Sequence, residues 1–237
     1  MSKVGTFTRR SFALRLGKTA ALAGAVISTA GPSEAQVVWS EKEWALADFN
    51  ELLTAQGELK QVFDVTSPVG SLDKVKNSLN GLQVGFGLQP SAIRTVVGLH
   101  GPANFLNFGD PVWEKYPIGK VFGIKSSQGD QPATRNEFYL SPFPPGSLNG
   151  DPSALHSAWH DASMQGLRRR GVKFLGCHTA LEFQVRQLIA KAALPGDPET
   201  IVRDMLQHLL PGSLMVVSMV SALAMLQAKG AYAYLKL

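Results

Sequence analysis

Three stretches of this chain hold runs of apolar residues at consecutive positions where an amphipathic strand would alternate. They are Ile93-Arg94-Thr95-Val96-Val97-Gly98-Leu99, Val172-Lys173-Phe174-Leu175-Gly176-Cys177, and Ser213-Leu214-Met215-Val216-Val217-Ser218-Met219-Val220. Short runs of this kind suit strands covered on both faces, and such strands belong to parallel sheets. The segments between them have the other period. After Ser71, a capping residue, Leu72, Val75, Leu79, Leu82 and Phe86 recur at helical spacing. Further helices are expected near 179–193, 196–210 and 221–229, with one starting at Asn104. A first strand over 59–65 and a last one over 232–236 complete the alternation. The pattern predicts an α/β fold of three layers with a mainly parallel sheet.

The first 35 residues read as an address. Thr8-Arg9-Arg10-Ser11-Phe12 has the paired arginines of a twin-arginine export signal, and a small-residue apolar run follows over 19–30. Ser33-Glu34-Ala35 offers small residues for cleavage after Ala35. Twelve residues, half of them Ala or Gly, fall short of the roughly 20 that span a bilayer. The expected mature chain is therefore periplasmic, delivered by the twin-arginine machinery. The leader carries five basic residues and one acid, so 23 basic and 18 acidic residues become 18 and 17. The net charge falls from +5 to near +1, and the basicity gives no sign of nucleic acid. Arg168-Arg169-Arg170 is read as a helix end, where cations meet the dipole favourably.

Residues 36–58 form an amphipathic extension, with Trp39, Trp44, Phe49 and Leu52 at roughly helical spacing, and the main domain covers 59–237. Within it, 109–152 is rich in Pro and Gly and reads as an inserted loop region over a site or interface, with a small strand at Val121-Phe122-Gly123-Ile124. A helix over 153–170, capped by Asp151 or Ser153, restores the pattern.

The only cysteine, Cys177, stands where a buried strand gives way to a helix. Such a junction lies at the carboxyl edge of the sheet, where open α/β sheets place ligands. The amino end of the helix favours an anion, and a thiolate is one. His100 ends its strand in the same way, and His178 follows the cysteine directly. One cysteine excludes an internal disulfide, so in an oxidising compartment this thiol is either buried or kept for chemistry.

Four landmarks together resemble the DsrE/DsrF-like family of sulfur-relay α/β proteins. They are Val96-Val97-Gly98-Leu99-His100-Gly101-Pro102-Ala103, Gly171-Val172-Lys173-Phe174-Leu175-Gly176-Cys177, Leu210-Pro211-Gly212, and Leu226-Gln227-Ala228-Lys229-Gly230-Ala231-Tyr232-Ala233-Tyr234. The resemblance implies a flavodoxin-like sandwich that forms a homo-oligomer. It also implies that Cys177 accepts sulfane sulfur as a persulfide, with His100 matching the family's His-Gly. The partners would be a small sulfur donor or a thiol-bearing acceptor protein. After the cysteine the family's polar residue and Asn-Thr-Leu are replaced by His178-Thr179-Ala180-Leu181.

The candidate site is therefore Cys177, His100 and His178, the histidines serving to take the thiol proton or steady the thiolate. Two other readings stay open. One is a binding or assembly module with a buried structural cysteine. The other is a metal- or haem-binding accessory protein using His156, His160 or His178. His156 and His160 lie i,i+4, but two ligands fall short of the roughly four of a structural metal site. His208 is expected at a helix end, and Glu182 in the first turn after the cysteine. There is no Gly-x-Gly-x-x-Gly opening a helix, no phosphate-binding Lys-Ser/Thr loop, no Cys-x-x-Cys and no His-Glu-x-x-His, so the sequence calls for no cofactor or metal.

Overall fold

The computed structural model describes residues 44–237, apart from 144–149, 152–153 and 155–156. The leader, Trp39 and His156 lie outside the described residues.

The apolar runs form strands. In chain order these are β1 (Leu59–Val65), β2 (Ile93–Leu99), β3 (Lys173–Cys177), β4 (Ser213–Val216) and β5 (Ala233–Lys236). They make one sheet in the order β4-β3-β2-β1-β5, and every neighbouring pair is parallel. The helices are α1 (Leu46–Thr54), α2 (Ser71–Asn80), α3 (Asp110–Lys115), α4 (Ile118–Phe122), α5 (Met164–Arg169), α6 (His178–Ala192), α7 (Pro198–Leu206) and α8 (Met219–Ala228). A 3-10 helix, Gly101–Asn107, stands where the sequence suggested that a helix starts at Asn104.

The sheet is covered on both faces, giving the expected three-layer α/β sandwich of flavodoxin-like type. Alternate strand residues enter different cores. Phe63, Val65, Val97, Leu99 and Phe174 pack with α2 and α5. Met215 packs with α6, α7 and residues of α3 and α4. Val62, Val96, Leu175, Cys177 and Val216 pack under α1 and α8, with Phe49, Leu52, Met219 and Leu226. The right-handed crossover rule accounts for this division. Steps from β1 to β4 all go one way and put their helices on one face. The return from β4 to β5 goes the other way and puts α8 on the opposite face. The extension contributes α1, whose Leu52 carbonyl accepts the Tyr232 hydroxyl at 3.0 Å.

Three local expectations are corrected. Val121 and Phe122 belong to α4, not to a strand, because Pro117 opens that helix and Gly123, at φ +68°, closes it. Within the described part of 109–152, Trp113, Ile118 and Ile124 are buried beside α6 and α7, while 125–132 lies largely exposed. The helix ending in the arginines is confined to α5 and capped by Ser163, whose side chain accepts the Gly166 N–H. Over the described residues 157–163 a turn stands where helix was expected, with buried Asp161 taking the Ser163 N–H at 2.9 Å and the Ser141 hydroxyl at 2.7 Å, while Ser153, an expected cap, lies outside the described residues. β4 also ends earlier than expected, since Ser218 and Met219 already open α8.

Candidate functional site

The loops after β3 and β4 leave the sheet toward opposite faces, one into α6 and the other into α8. The crevice outside two such strand ends is where open α/β sheets bind ligands. Cys177 lies there as the last residue of β3 and the N-cap of α6. Its Sγ accepts the Ala180 N–H at 3.4 Å and the Met219 N–H at 3.3 Å. The amino ends of a 15-residue helix and a 10-residue helix thus converge on one sulfur, where both dipoles favour negative charge. Thr179 joins the two loops by donating its N–H to the Val217 carbonyl at 3.1 Å.

The cysteine backbone is held by Asn104, which is wholly buried. Asn104 Oδ1 accepts the Cys177 N–H at 2.9 Å, and Nδ2 donates to the Cys177 carbonyl at 3.0 Å and to Gln184 Oε1 at 3.1 Å. β2 leaves the sheet just before this point, and the amide takes the place of the missing ladder partner. Gly176 admits this packing, because a Cβ there would lie 2.3 Å from Met215 Sδ and 2.9 Å from Asn107 Nδ2. The Cys177 residue keeps 5% of its surface exposed.

His100 continues β2 in extended conformation and donates its N–H to the Val65 carbonyl. The register pairs Leu99 with Gly176, so His100 and Cys177 come to the same level of adjacent strands, on the α8 side. His100 Nε2 bonds Asp64 Oδ1. Asp64 is buried in β1, and its other oxygen accepts the Tyr234 hydroxyl from β5 at 2.5 Å. That hydrogen bond, with some desolvation and the carboxylate charge, raises the Tyr234 pKa. Sequence reasoning missed both Asp64 and Tyr234. The available signal was a lone carboxylate inside an otherwise apolar strand, Val62-Phe63-Asp64-Val65.

His178 is set apart from this group. It is 2% exposed, and its Nδ1 lies 3.0 Å from Glu182 Oε1, one helical turn on. Its position beside α7 and β4 gives it the wall of another groove, of about 390 Å³, with Val202, Leu206, Leu214 and Met215. The reason is helical phase. Cys177 still belongs to the strand and points under α8, whereas His178 is the first residue of α6. Glu182, one turn on, is buried against His178 and does not line that groove. The groove has room for a small apolar molecule.

His160 is exposed in a turn and not on a helix, in a cleft with Asp73 and Glu137. His208 is exposed just beyond α7, where its carbonyl accepts the Gly109 N–H. Among the described residues no group of three His, Cys, Asp or Glu is placed to hold a metal ion. No protein-family model matches the sequence, and no curated protein or solved structure matches it either.

Proposed function

We propose that this protein carries reduced sulfur as a persulfide on Cys177. The observation that carries this reading is the pair of helix N–H groups aimed at one sulfur in the crevice between β3 and β4. Backbone donors in that position steady an anionic sulfur before and after transfer. The thiolate attacks the outer sulfur of R–S–SH, the new Sγ–S bond forms as the S–S bond between RS and that sulfur breaks, and the thiolate RS⁻ leaves. No electrons are gained or lost overall. The small exposure of Cys177 favours a small donor, a hydropersulfide or polysulfide, over a bulky one.

On the same reading the chain is DsrE-like, is exported through the twin-arginine pathway, and works in the periplasm after cleavage following Ala35. The supports are the leader's residue order and the landmarks around His100 and Cys177. Self-association is proposed as well, supported by the exposed apolar side chains of Val220 and Met225 on α8.

A second reading rests on burial. Cys177 caps α6 and bonds the start of α8, so it serves equally as a structural link in a non-enzymatic binding module whose ligand occupies the groove beside His178. Alkylation separates the two. The relay reading predicts that iodoacetamide labels native protein at Cys177; labelling only after unfolding in urea supports the structural link and defeats the relay.

A further inference from the structure

We infer that Asp64 and Tyr234 form a positioning pair that holds His100 in one tautomer, so that His100 shuttles the proton of the sulfur transfer at Cys177. This inference rests on the persulfide reading for its second half only.

The geometry begins in β1. Asp64 is the one carboxylate within the central strands, and it stays buried because both its oxygens are used, by His100 Nε2 and by the Tyr234 hydroxyl. A carboxylate only accepts hydrogen bonds, so Nε2 carries the ring proton and Nδ1 of a neutral ring is left bare. Among the described residues nothing bonds Nδ1. The opposite position on β2 explains how the ring reaches back. Asp64 pairs with Gly98, where no side chain intervenes and where a Cβ would lie 2.6 Å from Met219 Sδ. Tyr234 comes from the edge strand β5, whose Tyr234 pairs with Val62 and so projects from the same face as Asp64. The four side chains thus run across the carboxyl part of one face in the order Tyr234, Asp64, His100, Cys177, one from each of four adjacent strands. His100 is about a quarter exposed on its side chain, while Asp64 is almost covered. An accessible imidazole oriented by a covered carboxylate is the arrangement that proton transfer uses.

The chemical step then balances. His100 Nδ1 takes the proton from Cys177 S–H, and the thiolate attacks the outer sulfur of the hydropersulfide. The departing RS⁻ takes the proton from the imidazolium and leaves as RSH. Cys177 ends as Cys–S–SH, and His100 is neutral again.

The test uses the full chain with 15N-labelled histidine. Ring nitrogen shifts report the tautomer, and His100→Ala assigns the signal among the five histidines. The wild type should show the Nε2–H form. Asp64→Asn should mix the tautomers, and Tyr234→Phe, which only removes a hydroxyl from Asp64, should do so to a smaller degree in protein that folds normally. In sulfur uptake from a polysulfide, His100→Ala should be slower by about 100-fold and Asp64→Asn by about tenfold. The double variant should be no slower than His100→Ala, because a positioning residue has nothing left to position. An unchanged tautomer in both Asp64→Asn and Tyr234→Phe overturns the inference, as does a double variant whose losses multiply. A tautomer that shifts in a wild-type background that takes up no sulfur upholds the positioning pair and removes the persulfide reading instead.

Discussion

Replacing Asn104 by Ala should loosen the cysteine junction more than any other single truncation near it. The Asn104 side chain makes three hydrogen bonds at 2.9, 3.0 and 3.1 Å, and it is 0% exposed, so no solvent substitutes for it. The variant strands the Cys177 N–H and Gln184 Oε1. The Cys177 carbonyl keeps its place as first acceptor of α6. Two buried groups at about 1–3 kcal/mol each, with partial relaxation, give a loss of about 3 kcal/mol. For a chain of this size that corresponds to a Tm lower by about 6–12 °C. Urea unfolding at neutral pH measures it, with the midpoint moving and the slope unchanged. The loosened backbone should also slow sulfur uptake at Cys177, because the sulfur no longer sits against both helix ends. A loss below about 0.5 kcal/mol would refute the reasoning, since that is the range of a surface change.

Other perturbations probe separate parts of the structure. Gly119→Ala should destabilise by about 3 kcal/mol in urea unfolding, because its Cβ would stand 2.2 Å from the Ala133 carbonyl oxygen, a backbone atom that cannot swing away. Gly212→Ala should cost more than about 1 kcal/mol, since φ is +73° and the Cβ would meet Arg168 Nη2 at 1.8 Å. Asp204 is held below the usual carboxylate range by hydrogen bonds from Lys115 and Tyr116. Its stabilisation is therefore present above the unfolded carboxylate pKa and lost as pH falls through the lower folded one. The urea midpoints of wild type and Asp204→Asn should differ at pH 7 and converge under acid, and a gap that widens under acid would reverse the sign of this account. Cys177→Ser should fold with little loss, because serine is itself a favoured N-cap.

The sheet was legible because its strands announce themselves. Continuous apolar runs at 96–99 and 174–177 leave a chain few alternatives to a covered parallel sheet. Helix phase gave Leu72, Val75 and Leu79 their inward direction, and all three are buried. The helix expected before Arg170 is shorter because Asp161 takes the Ser163 N–H in a local turn and the hydroxyl of Ser141, 20 residues away, and the second of these is invisible to periodicity. The strand expected at 121–124 failed for a local reason, the left-handed Gly123. At the site, the position of Cys177 at the strand–helix junction could be read, but the second helix end on its sulfur could not. Met219 lies 42 residues further on, and only the return crossover to β5 brings α8 over β3. Tyr234 is 170 residues from Asp64, so that pair needed the strand order too. His178 looked like a neighbour of the thiol because it is one in sequence, yet one residue of helical phase sends it to the groove beside α7.

The claim that Cys177 carries sulfur is tested most directly by the intact mass of the purified protein after incubation with a polysulfide, beside Cys177→Ser. A gain of one or more sulfur atoms, reversed by a thiol reductant and absent from the serine variant, is the predicted result. An unchanged mass in protein whose thiol is still free, or an equal gain in the serine variant, would contradict it.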